Sequence, residues 1–199
     1  MTDDAAATAE GHYTSTGLPN RKLLMWTFIG SECMLFGSLI MTYLVYRGRS
    51  ITGPYPEELL NIPFITVTTF VLLMSSLMMV LALAAVQRND MRQGKLWLLM
   101  TALLGTVFLG GQVYEFSHFL HEGLGLSTNL FGASFYLLTG THGAHVFVGV
   151  LWLLSLFVLA VRGRLDARHA ETVEITGLYW HFVDVVWIVL FTLIYLLVS

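Results

Sequence analysis

The stretch ITVTTFVLLMSSLMMVLALAAV, residues 65–86, contains no charged side chain. The hydrocarbon core of a bilayer is about 30 Å thick, and an α-helix needs about 20 consecutive apolar residues to cross it. The stretch also lacks the period-two alternation of a membrane β-strand. It therefore predicts a transmembrane helix.

Four further stretches have the same character: residues 23–46, 96–119, 134–161 and 176–198. The whole 199-residue chain agrees, because 56% of its residues are hydrophobic and only 12% are charged, against about 25% charged residues in soluble domains. We predict an all-α integral membrane bundle of five transmembrane helices. It forms a single domain, residues 21–199, and residues 1–20 form a flexible polar tail that lacks the pattern of a cleavable signal peptide.

The lysines and arginines are distributed unevenly between the two ends of the predicted spans. Short basic segments remain on the cytoplasmic side when a membrane protein is inserted. Eight basic residues fall on the side of the N-terminal tail, namely Arg21, Lys22, Arg88, Arg92, Lys95, Arg162, Arg164 and Arg168. Only Arg47 and Arg49 fall on the other side. The N-terminus is therefore expected in the cytoplasm and the C-terminus outside.

Several classes of function are disfavoured by what the sequence lacks. Its single cysteine, Cys33, lies within the first span, so no disulfide and no cysteine-based haem attachment can form within the chain. The sequence has no P-loop, no dinucleotide-binding glycine motif and no HExxH zinc motif. A net charge of -3 without a basic run argues against nucleic acid as a partner.

Ionisable side chains within the predicted spans are the main candidates for function. A charged group at the centre of a membrane helix costs about 2.5–3.5 kcal/mol on insertion scales, so such groups are expected to face protein or water. Six of them lie in the interior of these spans: Glu32, Glu115, His142, His145, His181 and Asp184.

Helical geometry groups four of these residues near the middle of the membrane. Glu32 and Asp184 lie about 13 Å and 12 Å from the cytoplasmic ends of their spans, at a rise of about 1.5 Å per residue. His142 and His145 are three residues apart and share one helix face near the midplane. A buried acid could bond a histidine such as His145 or His181 as a clamp between helices, or could carry protons; the sequence leaves both open.

Gln112 and Glu115 form a second polar cluster nearer the external end of the third span. We expect Glu115 to be partly solvated there. Small residues within the spans, such as Gly105, Gly149 and Ser75, predict close approach of neighbouring helices.

A metal or haem site is disfavoured. Zinc needs a third protein ligand beside His142 and His145, and bis-histidine haem needs histidines at matching depth on facing helices. Only His181 is available to complete either set. Structural hydrogen bonding is the better interpretation, and we expect no metal site.

Five short motifs in this order resemble subunit III of haem-copper oxidases, the family that covers cytochrome c oxidases and bo-type quinol oxidases. Together they cover most of residues 20–199. They are SECMLFG at 31–37, LLMSSLMM at 72–79, LGGQVYEF at 109–116, TGTHGAHVFVG at 139–149 and YWHFVDVVWIVLF at 179–191.

The resemblance implies a role for the residues in these motifs. Glu32 corresponds to the family's buried glutamate and His142 with His145 to its paired histidines. The signature of its last helix matches Trp180, His181, Asp184 and Trp187. None of these residues binds a redox centre in the family.

The resemblance also implies partners and cofactors. In the family, the haems and copper lie in subunits I and II, while subunit III packs against subunit I, supports proton uptake, protects the active site during turnover and holds phospholipid. The chain is similar to the five-helix bacterial form, because it begins at the third helix of the longer seven-helix form. It is therefore expected in the bacterial cytoplasmic membrane, with no cofactor of its own.

We therefore predict a noncatalytic subunit III of a proton-pumping respiratory terminal oxidase. An accessory subunit of a nitric oxide reductase is the nearest alternative, since such proteins share this signature. A proton-coupled transporter would also bury carboxylates and histidines, but five spans give no even inverted repeat. A membrane cytochrome would need haem ligands that the sequence scarcely provides.

Overall fold

The computed structural model describes residues 19–46, 62–126 and 128–197. Five long helices fill most of these ranges, and each is long and apolar enough to cross a membrane, which confirms the predicted fold class. They are α1 (Asn20–Tyr46), α2 (Ile62–Gln87), α3 (Met91–His121), α4 (Leu130–Val161) and α5 (Ala170–Phe191). Most of the predicted tail, the two arginines Arg47 and Arg49 and residue 198 lie outside the described residues.

The helices begin earlier than the hydropathy pattern predicts, because polar caps extend them beyond the apolar run. The carboxylate of Asp90 accepts the backbone N–H of Gln93 at 3.2 Å, so α3 begins at Met91. The side chain of Asn129 accepts the N–H of Gly132 at 2.7 Å in the first turn of α4. Capping of this kind satisfies N–H groups that have no partner within the helix.

The last helix has irregular turns at both ends. A 3-10 turn, Ala167–His169, leads into α5, and Asp166 caps it. Hydrogen bonds from Arg168 and His169 lower the pKa of Asp166 to about 2, so the capping carboxylate is ionised at neutral pH. At the other end the chain continues from α5 into a π-helical turn, Thr192–Leu196.

Four of the helices form a closed ring, and the first helix packs outside it. Within the ring α2 contacts α3, α3 contacts α4, α4 contacts α5, and α5 returns to α2. Helix α1 packs against α4 and α5. Most of its surface is exposed, including Leu24, Met34 and Met41. The fold is therefore a four-helix bundle with one additional helix laid over the groove between its last two members.

Trp180 of α5 lies at the centre of the ring and is 1% exposed. Its indole N–H donates to the hydroxyl of Ser75 on α2 at 2.9 Å. Gly105 of α3 and Gly149 of α4 lie against its ring: a Cβ atom at these positions would come within 2.5 Å of Cη2 and 2.8 Å of Cζ3, respectively. One side chain of α5 therefore contacts all three other helices of the ring, and it fits only because two of them carry glycine there.

Candidate functional site

Glu32 and His145 form a pair that joins α1 to α4. Oε2 of Glu32 lies 3.1 Å from Nε2 of His145, and the two side chains are only 14% and 19% exposed. The other ring nitrogen, Nδ1 of His145, donates to the carbonyl oxygen of Thr141 one turn earlier at 2.8 Å. The hydroxyl of Tyr179 on α5 donates to the carbonyl oxygen of His145 at 2.9 Å. The pair is thus held by three helices.

This geometry fixes the number of protons that the pair carries. A carbonyl oxygen only accepts hydrogen bonds, so Nδ1 of His145 carries a proton. The contact between Nε2 and the Glu32 carboxyl then needs one further proton, which resides on the imidazole or on the carboxyl. In both forms the pair has no net charge, which reduces the cost of placing two ionisable groups within the membrane.

Asp184 and His181 of α5 meet α2 through one serine hydroxyl. The hydroxyl of Ser76 donates to Oδ2 of Asp184 at 2.6 Å, and Nδ1 of His181 lies 3.2 Å from the same hydroxyl oxygen. Since that hydroxyl already donates to the carboxylate, it is an acceptor toward His181, whose Nδ1 is therefore the protonated nitrogen. Ser76 thus links the acid and the histidine of α5 through one hydroxyl of α2.

Trp187 adds a third link between α5 and α2, one turn beyond Asp184. Its indole N–H donates to the hydroxyl of Thr69 at 2.9 Å. The ring of His142 stacks on Trp187 with 4.9 Å between the ring centroids, and the ring of Phe108 meets His142 edge-on at 5.9 Å. His142 is fully buried, and its two ring nitrogens have no hydrogen-bond partner among the described residues. It serves here as an aromatic packing residue.

Gln112 and Glu115 of α3 are both buried, so the expectation that Glu115 is partly solvated is wrong. Glu115 is 6% exposed, and the hydroxyl of Tyr195 lies 2.9 Å and 3.0 Å from its two carboxyl oxygens. Tyr195 belongs to the π-helical turn after α5, which covers the carboxyl. The amide of Gln112 donates to the carbonyl oxygen of Thr139 on α4 at 2.6 Å.

A cleft of about 570 Å³ opens between α1, α4 and α5, beside the Glu32 and His145 pair. Its walls are apolar and aromatic, with Phe28, Val148 and Trp152 among them. The cleft is therefore a hydrophobic space with one polar position.

These contacts are suited to holding helices together. Among the residues that the structure describes, no group of three or more histidine, cysteine, aspartate or glutamate side chains is placed to hold a metal ion. The polar groups join α1 to α4, α5 to α2 and α3 to α4.

Comparison with known proteins places the chain in a family. A family model described as cytochrome c oxidase subunit III matches residues 3–199. The chain belongs to the cytochrome c oxidase subunit III family. This membership confirms the resemblance drawn from the five motifs.

Curated members of the subunit III family match most of the chain. Cytochrome c oxidase subunit 3 of Bacillus sp. (strain PS3) is 42% identical over 178 residues, covering 89% of this chain and 86% of the relative. Quinol oxidase subunit 3 of Bacillus subtilis (strain 168) is 38% identical over 172 residues, covering 86% and 84%. Cytochrome c oxidase subunit 3 of Alkalihalophilus pseudofirmus is 37% identical over 196 residues, covering 92% and 95%.

The structure brings the predicted residues together as several separate contacts between helices. Glu32 meets His145 on one side of α4, whereas Asp184, His181 and Trp187 face α2. The hydroxyl partners on α2 were not predicted as such. Ser75 had been attributed to close packing, and the threonine and serine hydroxyls within the apolar run of residues 65–86 were the signal that could have identified these partners.

Proposed function

We propose that this chain is the noncatalytic subunit III of a proton-pumping respiratory terminal oxidase, the complex that reduces oxygen to water. The observation that carries the proposal is the match of the subunit III family over residues 3–199. Relatives named as subunit 3 of cytochrome c oxidases and of quinol oxidases support it. The haems and copper belong to the partner subunits, and this chain supplies no redox centre.

Within the complex, the proposed role of the buried polar residues is to keep the chain in one shape against subunit I. The Glu32 and His145 pair fixes α1 to α4, and the Asp184 and Ser76 pair fixes α5 to α2. A fixed face is needed if subunit III is to shield the active site during turnover and support proton uptake in subunit I. Residues 21–199 act as a single membrane domain in this proposal, with residues 1–20 as a tail.

The proposed partners are subunit I by direct packing, subunit II and the other subunits of the complex, with phospholipid around the exposed faces. The bundle end carrying Arg88, Arg92, Arg162 and Arg164 presents exposed cations, which attract anionic headgroups at the cytoplasmic surface. On this proposal the N-terminus lies in the cytoplasm and the C-terminus outside. The relatives are bacterial, and the proposed location is the bacterial cytoplasmic membrane.

Purification of the intact complex through a tag on this chain tests the proposal. In a mild detergent, an optical spectrum and mass spectrometry of the co-purifying chains should identify haem-containing subunits that consume oxygen. Nitric oxide consumption without oxygen reduction would favour the nitric oxide reductase alternative, which the named relatives do not support. A colourless, solitary chain would contradict an oxidase subunit and would favour a transporter.

A further inference from the structure

His181 of α5 has one ring nitrogen bonded within the bundle and one that is not. Its Nδ1 donates to the hydroxyl of Ser76 on α2 at 3.2 Å. Its Nε2 has no hydrogen-bond partner in the described ranges, and the bundle does not enclose it. A neutral imidazole that is protonated at Nδ1 carries a lone pair on Nε2. His181 therefore presents a hydrogen-bond acceptor at the outer surface of the chain.

This acceptor lies deep within the membrane-spanning region. His181 follows Ala170, the first residue of α5, by eleven residues, or about 17 Å along the helix, and the hydrocarbon core is about 30 Å thick. Lipid tails offer no hydrogen-bond donor, so an unpaired polar group that faces them at this depth is costly. Ionisable side chains within spans face protein or a water-filled cavity instead. The surface around His181 is therefore one that another protein segment is expected to cover.

The residues that follow His181 along α5 complete a face suited to another helix. Val185 and Ile188 come four and seven residues later, so the three side chains lie on one side of α5. Val185 is 58% exposed and Ile188 is 41% exposed, while His181 is partly buried. We call these three residues the His181 face. An apolar ridge with one acceptor fits a transmembrane helix that carries a hydrogen-bond donor at the same depth.

We propose that the His181 face docks against a transmembrane helix of a partner oxidase subunit, whose hydroxyl, amide or indole group donates a hydrogen bond to Nε2 of His181. The inference rests on the proposed function, which places this chain in a membrane complex, and it adds the face that meets a partner. One imidazole then makes two bonds: Nδ1 holds α5 to α2, and Nε2 holds the chain to its neighbour. Because the bond to Ser76 fixes the ring, the acceptor is oriented before the partner binds.

Photocrosslinking in the intact complex tests which molecule covers the His181 face. The photoreactive residue p-benzoylphenylalanine replaces Val185, and the matched control carries it in place of Val107 on α3, which is 56% exposed and lies diagonally opposite α5 in the ring. Irradiation in native membranes should join the Val185 position to a partner subunit at a yield severalfold above that of the control. If the Val185 variant does not assemble, Ile188 is replaced instead.

Three results of this experiment would overturn the proposal. Equal crosslinking to a partner from both positions would show that the His181 face is not distinct from the opposite surface. Adducts to lipid alone would show that the face meets lipid, and a crosslinked pair of this chain would identify a second copy as the occupant. The haem-containing subunits that co-purify with the tagged chain test the proposed function separately. Co-purification without a crosslink from the His181 face would overturn this inference and leave the proposed function intact.

Two substitutions of His181 separate its outward bond from its inward bond. His181→Asn keeps a donor near the position of Nδ1 and removes the outward nitrogen, whereas His181→Gln keeps a polar atom near the position of Nε2 and loses the bond to Ser76. A hydrogen bond changes an equilibrium constant by roughly 2- to 12-fold. The asparagine variant should weaken retention of the partner subunit on the tagged chain by that factor, and the glutamine variant should retain it. The opposite order would show that His181 serves only the link to Ser76.

Discussion

Replacement of Gly105 by alanine is expected to destabilise the chain, although alanine is the better helix former. The new Cβ atom would lie 2.5 Å from Cη2 and 2.9 Å from Cζ2 of Trp180, whereas carbon atoms pack at about 3.5–4.0 Å, so the overlap is about 1 Å. The indole has little room to move away, because its Cζ3 and Cε3 atoms lie against Gly149 and its N–H is bonded to Ser75.

The matched control is Gly110→Ala on the same helix, where a Cβ atom meets nothing within 4 Å. Both substitutions carry the same gain in helix propensity, so this term cancels between them. Overpacking costs about 1–3 kcal/mol, which corresponds to a melting temperature lower by roughly 2–12 °C for Gly105→Ala than for Gly110→Ala.

Thermal unfolding of the detergent-solubilised complex, followed by tryptophan fluorescence and by retention of this chain on the other subunits, measures the difference. Trp180→Phe removes the clashing ring atoms, so the Gly105→Ala substitution should cost less in that background than in the wild-type chain. Equal melting temperatures for Gly105→Ala and Gly110→Ala would refute the close packing of Trp180 against Gly105. Full additivity of the double variant would refute it as well.

Three further substitutions test the polar contacts. Asp184→Ala leaves the hydroxyl of Ser76 without its acceptor and should lower the free energy of unfolding by about 1–3 kcal/mol. The loss should be measured as weaker association with the catalytic subunit or as faster inactivation during turnover. An assembled variant that keeps wild-type activity through prolonged turnover would contradict this. Glu32→Gln keeps a hydrogen-bonding group beside His145, so assembly and proton pumping should be unchanged if the pair is a clamp between helices. Loss of proton pumping in an assembled variant would instead identify Glu32 as a proton carrier. Trp187→Phe removes one indole N–H bond to α2 and should lower stability by about 0.5–1.5 kcal/mol, read as a lower melting temperature; no change would show that this bond contributes little.

The helices could be predicted from the sequence because each is a long apolar run, and length with hydropathy is a local property. The partners of the buried groups are not local. Glu32 and Asp184 lie at similar depths, yet one meets a histidine of α4 and the other a serine of α2. Depth is given by the position along a helix, whereas the partner depends on how each helix is rotated about its axis.

Glu115 shows a second limit of prediction from sequence. A carboxyl near the end of a span ordinarily reaches water, unless another part of the chain folds over it. The π-helical turn Thr192–Leu196 brings Tyr195 over this carboxyl. A single tyrosine near the chain's end carries no signal for this contact, because tyrosines are common at membrane interfaces in any case.

The position of α1 outside the ring has a consequence for how the chain is made. Its two neighbours, α4 and α5, are synthesised after α1, and His145 follows Glu32 by 113 residues. Helix α1 is therefore synthesised before the histidine that pairs with its carboxyl. The contact between Glu32 and His145 can form only after α2, α3 and the first half of α4 have been made, so the docking of α1 onto the bundle is a late step in folding.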